Sequence, residues 1–440
     1  MPIKLATRDT DFESRFRAFL AAKREASDDV EQAVRAIISD VRQRGDAALV
    51  ELTRRFDRFE AEAQALRVAP AEIEAAVSGA DRQVVAALEM ARDRILAAHQ
   101  RQKPEPEVRW RDSVGATLGH RWTAVESVGL YVPGGLASYP SSVLMNAVPA
   151  KVAGVERVVM VVPSPGGVLN PLVLAAARLA GVDEIYRVGG AQAVAALAFG
   201  TATIAPVAKI VGPGNAFVAA AKRQVFGTVG IDSIAGPSEV LIIADRDNDP
   251  EWLAADLLAQ AEHDTAAQSI LMTDDATLAD AVEAAVGRQL AVLPKAAIAG
   301  ESWRTFGAVI LLRSLDEAPA LADRIAAEHV EIATAEPDVL AARIRNAGAI
   351  FLGRLTPEVI GDYVGGSNHV LPTARSARFS SGLGVLDFMK RTSLLQLDAA
   401  ALATLGPVAM TLARAEGLEA HRRSVEVRLD RPDSRRGEAS

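Results

Sequence analysis

Hydrophobic and polar positions fall into three textures along the chain. From residue 11 to 103 apolar residues recur at intervals of three and four, the helical period. Helices are expected over 30–43, with Asp28-Asp29 as a cap, over 46–56 after the interruption at Gly45, and over 70–100. Lys103-Pro104-Glu105-Pro106-Glu107 reads as a linker. Beyond it, short β-branched runs alternate with Ala-rich helical stretches. Strands are expected at 158–162, 184–188, 209–211, 240–244, 269–273, 308–312, 330–333 and 349–352, with helices between them, among them 171–180, 191–198, 216–226, 252–263 and 278–289. Such alternation calls for an α/β fold of parallel sheets joined by right-handed crossovers. The number of strands calls for two sheets, with the break near Gly236-Pro237-Ser238. After Arg378 a turn-rich stretch, 379–384, leads into a helical arm over 398–428, broken at Gly406-Pro407, and a polar tail over 431–440 expected to be disordered. The chain is thereby divided into an N-terminal helical region, 1–115, two α/β domains, 116–238 and 239–378, and a C-terminal arm, 379–440. The arm either packs on its own core or reaches across a dimer.

Composition narrows the function. With 440 residues, 50% of them hydrophobic and 24% charged, the chain has the make-up of a globular protein with two or more cores. The net charge is −8 and the basic residues are dispersed, so neither a nucleic-acid nor a membrane partner is expected. No apolar run is long enough to span a bilayer, and Met1-Pro2-Ile3-Lys4 opens no signal peptide, which reads as cytoplasmic. Cysteine is absent. That removes disulfides, thiolate metal sites, cysteine-held iron–sulfur clusters and a cysteine nucleophile. A metal would have to be held by His, carboxylate, amide or water. There are only six histidines, His99, His120, His263, His329, His369 and His421, and His99 is read as a surface residue.

Several stretches could carry chemistry. Gln260 and His263, three apart at the end of the 252–263 helix, share a face and could hold a divalent metal; equally, they could cap a surface helix. Tyr131-Val132-Pro133-Gly134-Gly135 and Gly212-Pro213-Gly214-Asn215 follow strands, and Gly189-Gly190-Ala191-Gln192 opens a helix, positions at which backbone amides can approach a ligand or simply turn the chain. No G-x-G-x-x-G occurs. Glu328-His329 sets a carboxylate beside an imidazole at the mouth of a strand, suited to moving protons or to a helix-end pair. Asp362 and His369 share a Gly/Ser-rich loop. Glu416 and His421 lie on the C-terminal arm, where a solvated helix face is the simpler reading.

Taken together these motifs resemble the histidinol dehydrogenase family. The resemblance runs from about Asp28 to Arg428. It is carried by Gly129-Leu130-Tyr131-Val132-Pro133-Gly134-Gly135, Tyr139-Pro140-Ser141-Ser142-Val143-Leu144-Met145-Asn146, Gly189-Gly190-Ala191-Gln192-Ala193, Lys209-Ile210-Val211-Gly212-Pro213-Gly214-Asn215, Ala235-Gly236-Pro237-Ser238-Glu239-Val240, Gln260-Ala261-Glu262-His263, Asn368-His369-Val370-Leu371-Pro372 and Glu416-Gly417-Leu418-Glu419-Ala420-His421. It implies oxidation of L-histidinol to L-histidine with two NAD and one zinc per subunit. The implied fold is two incomplete Rossmann-like domains in an intertwined homodimer. The zinc ligands it implies are Gln260, His263, Asp362 and a partner-donated His421. The proton-transfer pair is Glu328 and His329. Further substrate contacts fall at Ser238, His329, His369 and Glu416, and NAD contacts at Tyr131, Gln192 and Asn215. Two departures stand out: Leu136, where relatives often carry Lys, and Ala327, where Pro is common. The family also includes relatives acting on other alcohols, such as a sulfonate-bearing diol, and a binding module that has lost catalysis is a third reading. The retained Glu328-His329 pair and metal-ligand set speak against that last one. Without cysteine an aldehyde intermediate cannot be held as a thiohemiacetal, so water must add to it. His329 is expected to act on the alcohol and Glu328 on the water, with the roles open to exchange.

Overall fold

The computed structural model describes residues 1–21, 28–134, 139–234 and 236–430. Gly135, Leu136, Ala235, the tail 431–440 and the side chain of Asp28 lie outside the described residues. The chain forms two compact units. One comprises Met1–Lys103 with Val125–Phe388, and the other Pro104–Ala124 with Met389–Ser440.

The first unit holds two parallel sheets. Its chain begins with a strand, β1 (Ile3–Ala6), ahead of the helices expected from residue 11. The sheet nearer in sequence uses β2 (Ser127–Tyr131), β3 (Arg157–Val161), β4 (Glu184–Tyr186), β5 (Lys209–Val211) and β6 (Gly230–Ile231), in the order β4-β3-β2-β5-β6. The chain therefore starts in the middle, works outward to β4 and crosses back to β5. The second sheet uses β7 (Glu239–Ala244), β8 (Gln268–Thr273), β9 (Ala308–Leu311), β10 (His329–Ala333) and β11 (Ala349–Leu352), in the order β1-β9-β8-β7-β10-β11. All pairings within these two sheets are parallel. The short β1 extends an edge whose partner, β9, lies some three hundred residues away in sequence, so no local pattern announces it.

Burial on both faces explains the continuous apolar runs of these strands. Every residue of β7 and β8 is buried. Leu241, Ile243, Ile270 and Met272 pack into a core on one face, and Val240, Ile242 and Leu271 into a core on the other. In the first sheet the helix α1 (Gly190–Phe199) is buried along Ala191–Ala198, a helix apolar all round rather than amphipathic. Chain passes from one sheet to the other between Ile231 and Glu239, around the Gly236-Pro237-Ser238 turn.

The second unit is a three-stranded antiparallel sheet, in the order Met389–Gln396, Thr117–Ala124, Glu107–Arg111, with two helices, Ala399–Ala415 and Glu419–Leu429. The expected break at Gly406-Pro407 does not occur: the helix runs through it and ends at Gly417, which takes a left-handed φ of 70°. Packing overrides the local rule. Gly406 is where Val425 and Leu429 of the following helix approach closest, and a side chain there would meet them at 3.0 and 3.1 Å. Among the described residues no helix is long and apolar enough to cross a membrane.

Candidate active site

The order of the first sheet decides where a ligand can sit. In an open parallel sheet the crevice lies beyond the carboxyl ends of the strands where the order reverses, here between β2 and β5. Tyr131 ends β2 and is buried, and its hydroxyl accepts the Gly190 N–H at 3.0 Å. Burial pushes its phenol up to about 12. Gln192 lies buried in the first turn of α1. Asn215 caps α2 (Ala216–Val225): its side-chain oxygen accepts the N–H groups of Phe217 and Val218 at 3.1 and 3.2 Å, which leaves its amide N–H groups for other partners. Tyr131, Gly134, Gly189, Gly190, Gln192, Gly212, Gly214 and Asn215 together form one wall of a cleft of about 1170 Å³.

The opposite wall comes from the amino ends of the second sheet. His329 pairs in register with Val240, so Glu328-His329 and Ser238-Glu239 emerge side by side. The Glu239 N–H donates to Glu328 Oε2 at 3.1 Å, and His329 Nδ1 lies 3.1 Å from the Glu239 carbonyl. That contact requires the proton on Nδ1 and leaves Nε2 with the lone pair in the neutral ring. Among the described residues Nε2 has no hydrogen-bond partner; Asp362 Oδ1 lies 3.6 Å away. Glu358 Oε2 stands 3.5 Å and Glu328 Oε2 3.9 Å from Nδ1. Burial lifts Glu328 to about 7, against the pull of His329. Burial likewise lifts Glu358 to about 8. For His329 burial acts downward, but Glu358, Glu328 and Asp362 outweigh it and hold the imidazole well above its usual value. The cleft thus sets a carboxyl that exchanges its proton near pH 7 beside an imidazole whose hold on a proton its acidic neighbours strengthen.

The donors expected for a metal follow a different local pattern from the one anticipated. Helix α3 (Pro250–Ala261) ends before His263, which stands in the turn beyond it with its N–H on the Gln260 carbonyl at 3.2 Å. Gln260 is fully buried, and among the described residues neither polar atom of its amide has a partner. Asp362 is on a short helix, α4 (Glu358–Tyr363), and not in a loop as expected. His369 is in the following loop, its Nδ1 3.0 Å from the Asp362 carbonyl and its Nε2 3.2 Å from Ser142 Oγ. Burial lowers the pKa of both His263 and His369, which favours the neutral, ligating form. Asp362 is held below its usual value: His329, His369 and His263 around it overcome burial. Ser238, His263, Glu328, His329, Asp362 and His369 all line the cleft. Among the described residues no three His, Asp or Glu side chains are grouped to hold a metal. Glu416 and His421 stand exposed on the helical pair of the second unit.

Some neighbours were not anticipated. Glu358 has a signal in retrospect, one helical turn before Asp362. Ser142, under His369, has none. His99 is a correction: it is buried, with Nδ1 2.8 Å from the Ile95 carbonyl and Nε2 facing the Asn368 amide at 3.4 Å. It braces the loop that carries His369.

Comparison with known proteins agrees over the whole chain. The family model described as histidinol dehydrogenase matches residues 20–429. A histidinol dehydrogenase of Nitrobacter winogradskyi is 70% identical over 98% of this chain and 100% of its own length. One from Bradyrhizobium diazoefficiens is 69% identical, with the same coverage of each. A crystal structure of histidinol dehydrogenase from Elizabethkingia anophelis superimposes with a TM-score of 0.93 at 34% identity, covering 98% of both chains.

Proposed function

Because the chain belongs to the histidinol dehydrogenase family of oxidoreductases, we propose that it oxidises L-histidinol to L-histidine with two NAD through the aldehyde, closing histidine biosynthesis in the cytoplasm. The observation that carries this reading is the buried Glu328-His329 pair facing Ser238, Asp362 and His369 in one cleft, in a chain without cysteine.

His329, with Nδ1–H on the Glu239 carbonyl, offers Nε2 to the alcohol proton as the carbinol carbon gives up a hydride. NAD, when bound, takes the hydride of each oxidation. No thiol can capture the aldehyde, so water adds to its carbonyl. Glu328, poised near pH 7, accepts the proton of that water as the new C–O bond forms and returns it to the former carbonyl oxygen, giving the neutral hydrate. The hydrate then loses a second hydride and a hydroxyl proton to leave the acid. One water is consumed, and two hydrides and two protons depart before the acid ionises.

The cofactor wall suits a dinucleotide: two helix starts and two glycine turns open on the cleft, and Tyr131, Gln192 and Asn215 stand along it. For zinc, the buried and unpartnered Gln260 amide is what a metal would satisfy. Gln260, His263, Asp362 and the partner subunit's His421 would hold one ion per subunit. Such an ion supplies a Lewis-acidic anchor for the amine and imidazole of histidinol. Ser238, His329, His369 and Glu416 complete the substrate contacts. A homodimer is supported by Leu405, Val408 and Leu412, exposed at helical spacing on one face of Ala399–Ala415. The two parallel sheets, the first begun at the central β2 and the second, its edge strand β1 apart, at the central β7, are read as incomplete Rossmann-like halves, within the division at about residues 115, 238 and 378.

The test is NADH formed per L-histidinol consumed, with zinc-loaded protein and excess NAD. Two is expected. One would remove the second step from Glu328, and none would remove the reading. Bound zinc should fall on Gln260→Ala.

A further inference from the structure

One buried ion pair takes no part in the chemistry above. Lys222, on α2, and Asp232 have side chains only 2% and 5% exposed and are paired directly. Both also hold the same backbone residue. Lys222 Nζ donates to the Gly212 carbonyl at 3.0 Å, and Asp232 Oδ2 accepts the Gly212 N–H at 2.8 Å. Gly212 follows β5 directly with φ +108°, and a Cβ there would lie 2.2 Å from the Tyr131 carbonyl oxygen. Tyr131 in turn anchors Gly190 at the start of α1. The pair therefore fixes the Gly212–Asn215 turn against the two other segments of the same cleft wall.

A buried ion pair is a poor way to add stability, because desolvation offsets most of the attraction; what such a pair can secure is one particular geometry. Lys222 and Asp232 reach only the backbone of the turn, and both line the cleft themselves. We propose that Lys222 and Asp232 are positioning residues for the dinucleotide, holding the Gly212–Asn215 turn in the conformation that receives it. This rests on the reading that NAD occupies this wall. Without the pair, the ligand itself would have to order the turn, and each backbone residue so ordered weakens binding about tenfold.

The experiment uses the full-length protein and three variants: Lys222→Met, Asp232→Asn and the double variant. The double variant leaves no buried charge uncompensated, so it is the one expected to fold closest to the original. NADH binding is followed by nicotinamide fluorescence without histidinol, beside steady-state kinetics and amide exchange of the 209–216 segment. For the double variant, NADH binding should weaken at least tenfold and KM for NAD rise in parallel, with kcat and KM for histidinol within twofold. Exchange at 209–216 should quicken while that at 239–244 stays put. A folded double variant that binds NADH within twofold of the original overturns the proposal, as does a fall in kcat with NADH affinity unchanged. If the unaltered protein binds no NADH, it is the cofactor reading that fails.

Discussion

Glu328→Gln separates the cost of burying this carboxyl from its use. Glu328 is 5% exposed, and burial raises its pKa from 4.5 to about 7. The unfolded chain gives up the proton near 4.5, whereas the folded chain keeps it to about 7. The contribution of this group is therefore complete below pH 4.5, declines as pH rises through that window and is lost above 7. The gap corresponds to about 3 kcal/mol. Glutamine keeps an oxygen for the Glu239 N–H, 3.1 Å away, and never ionises. The variant should match the original at pH 4.5 and exceed it by up to about 3 kcal/mol at pH 8.5. Glu358 and Asp362 remain beside His329, so the imidazole keeps its acidic neighbours. Guanidinium unfolding of the metal-free protein at the two pH values gives the difference. A change equal at both pH values, or a loss that grows with pH, would refute the ionisation cost. Turnover with histidinol should fall at least 100-fold at either pH, the scale of a lost general base.

Three other tests probe the frame. Gly212→Ala must push the backbone away from the Tyr131 carbonyl, whereas Gly227→Ala, at φ +100° with open space around it, meets only the strain of that φ, about 1 kcal/mol; the first should lower the melting temperature several degrees more than the second and weaken NADH binding. His99→Ala empties a buried site and leaves the Asn368 amide nitrogen with its Met145 carbonyl bond alone, so unfolding should cost about 2 kcal/mol less while zinc content holds, as metal analysis would show. Mixing inactive His421→Ala and Glu328→Ala proteins, with subunit exchange verified, should restore activity; no recovery would sink the partner-donated ligand.

How much of this could be read from the chain varies with the range of the interaction. The parallel strands of both sheets carry their own apolar runs, and Glu328-His329 sits at a strand mouth where its chemistry is visible. His99 reads as a surface residue by its polarity, yet Leu88, Ala91, Ile95 and His99 are the buried positions of a single helix face and share the helical period. Pro407 was read by a local rule that the packing of Gly406 against the next helix overrides. Asp362 looked like a loop residue because a six-residue helix leaves too short a period to see. Lys222 had no signal at all. On α2 it looks like any last-turn basic residue, and only the return of the chain at Asp232 gives it a buried partner.

The two walls of the cleft solve one problem in opposite senses. On the second sheet a backbone fixes side chains. Glu239 stands just ahead of Val240, the register partner of His329, and its main-chain N–H and carbonyl face Glu328 Oε2 and His329 Nδ1. No side-chain substitution at 239 removes those two groups, which makes the His329 tautomer robust to local mutation. On the first sheet side chains fix a backbone, because a glycine turn at φ +108° has nothing of its own to hold it and borrows Lys222 and Asp232. Chemistry that needs one proton position is thus anchored to main chain. A turn that, on the proposed reading, receives and releases a dinucleotide twice in each cycle is anchored to side chains, whose hold on it can be adjusted by substitution.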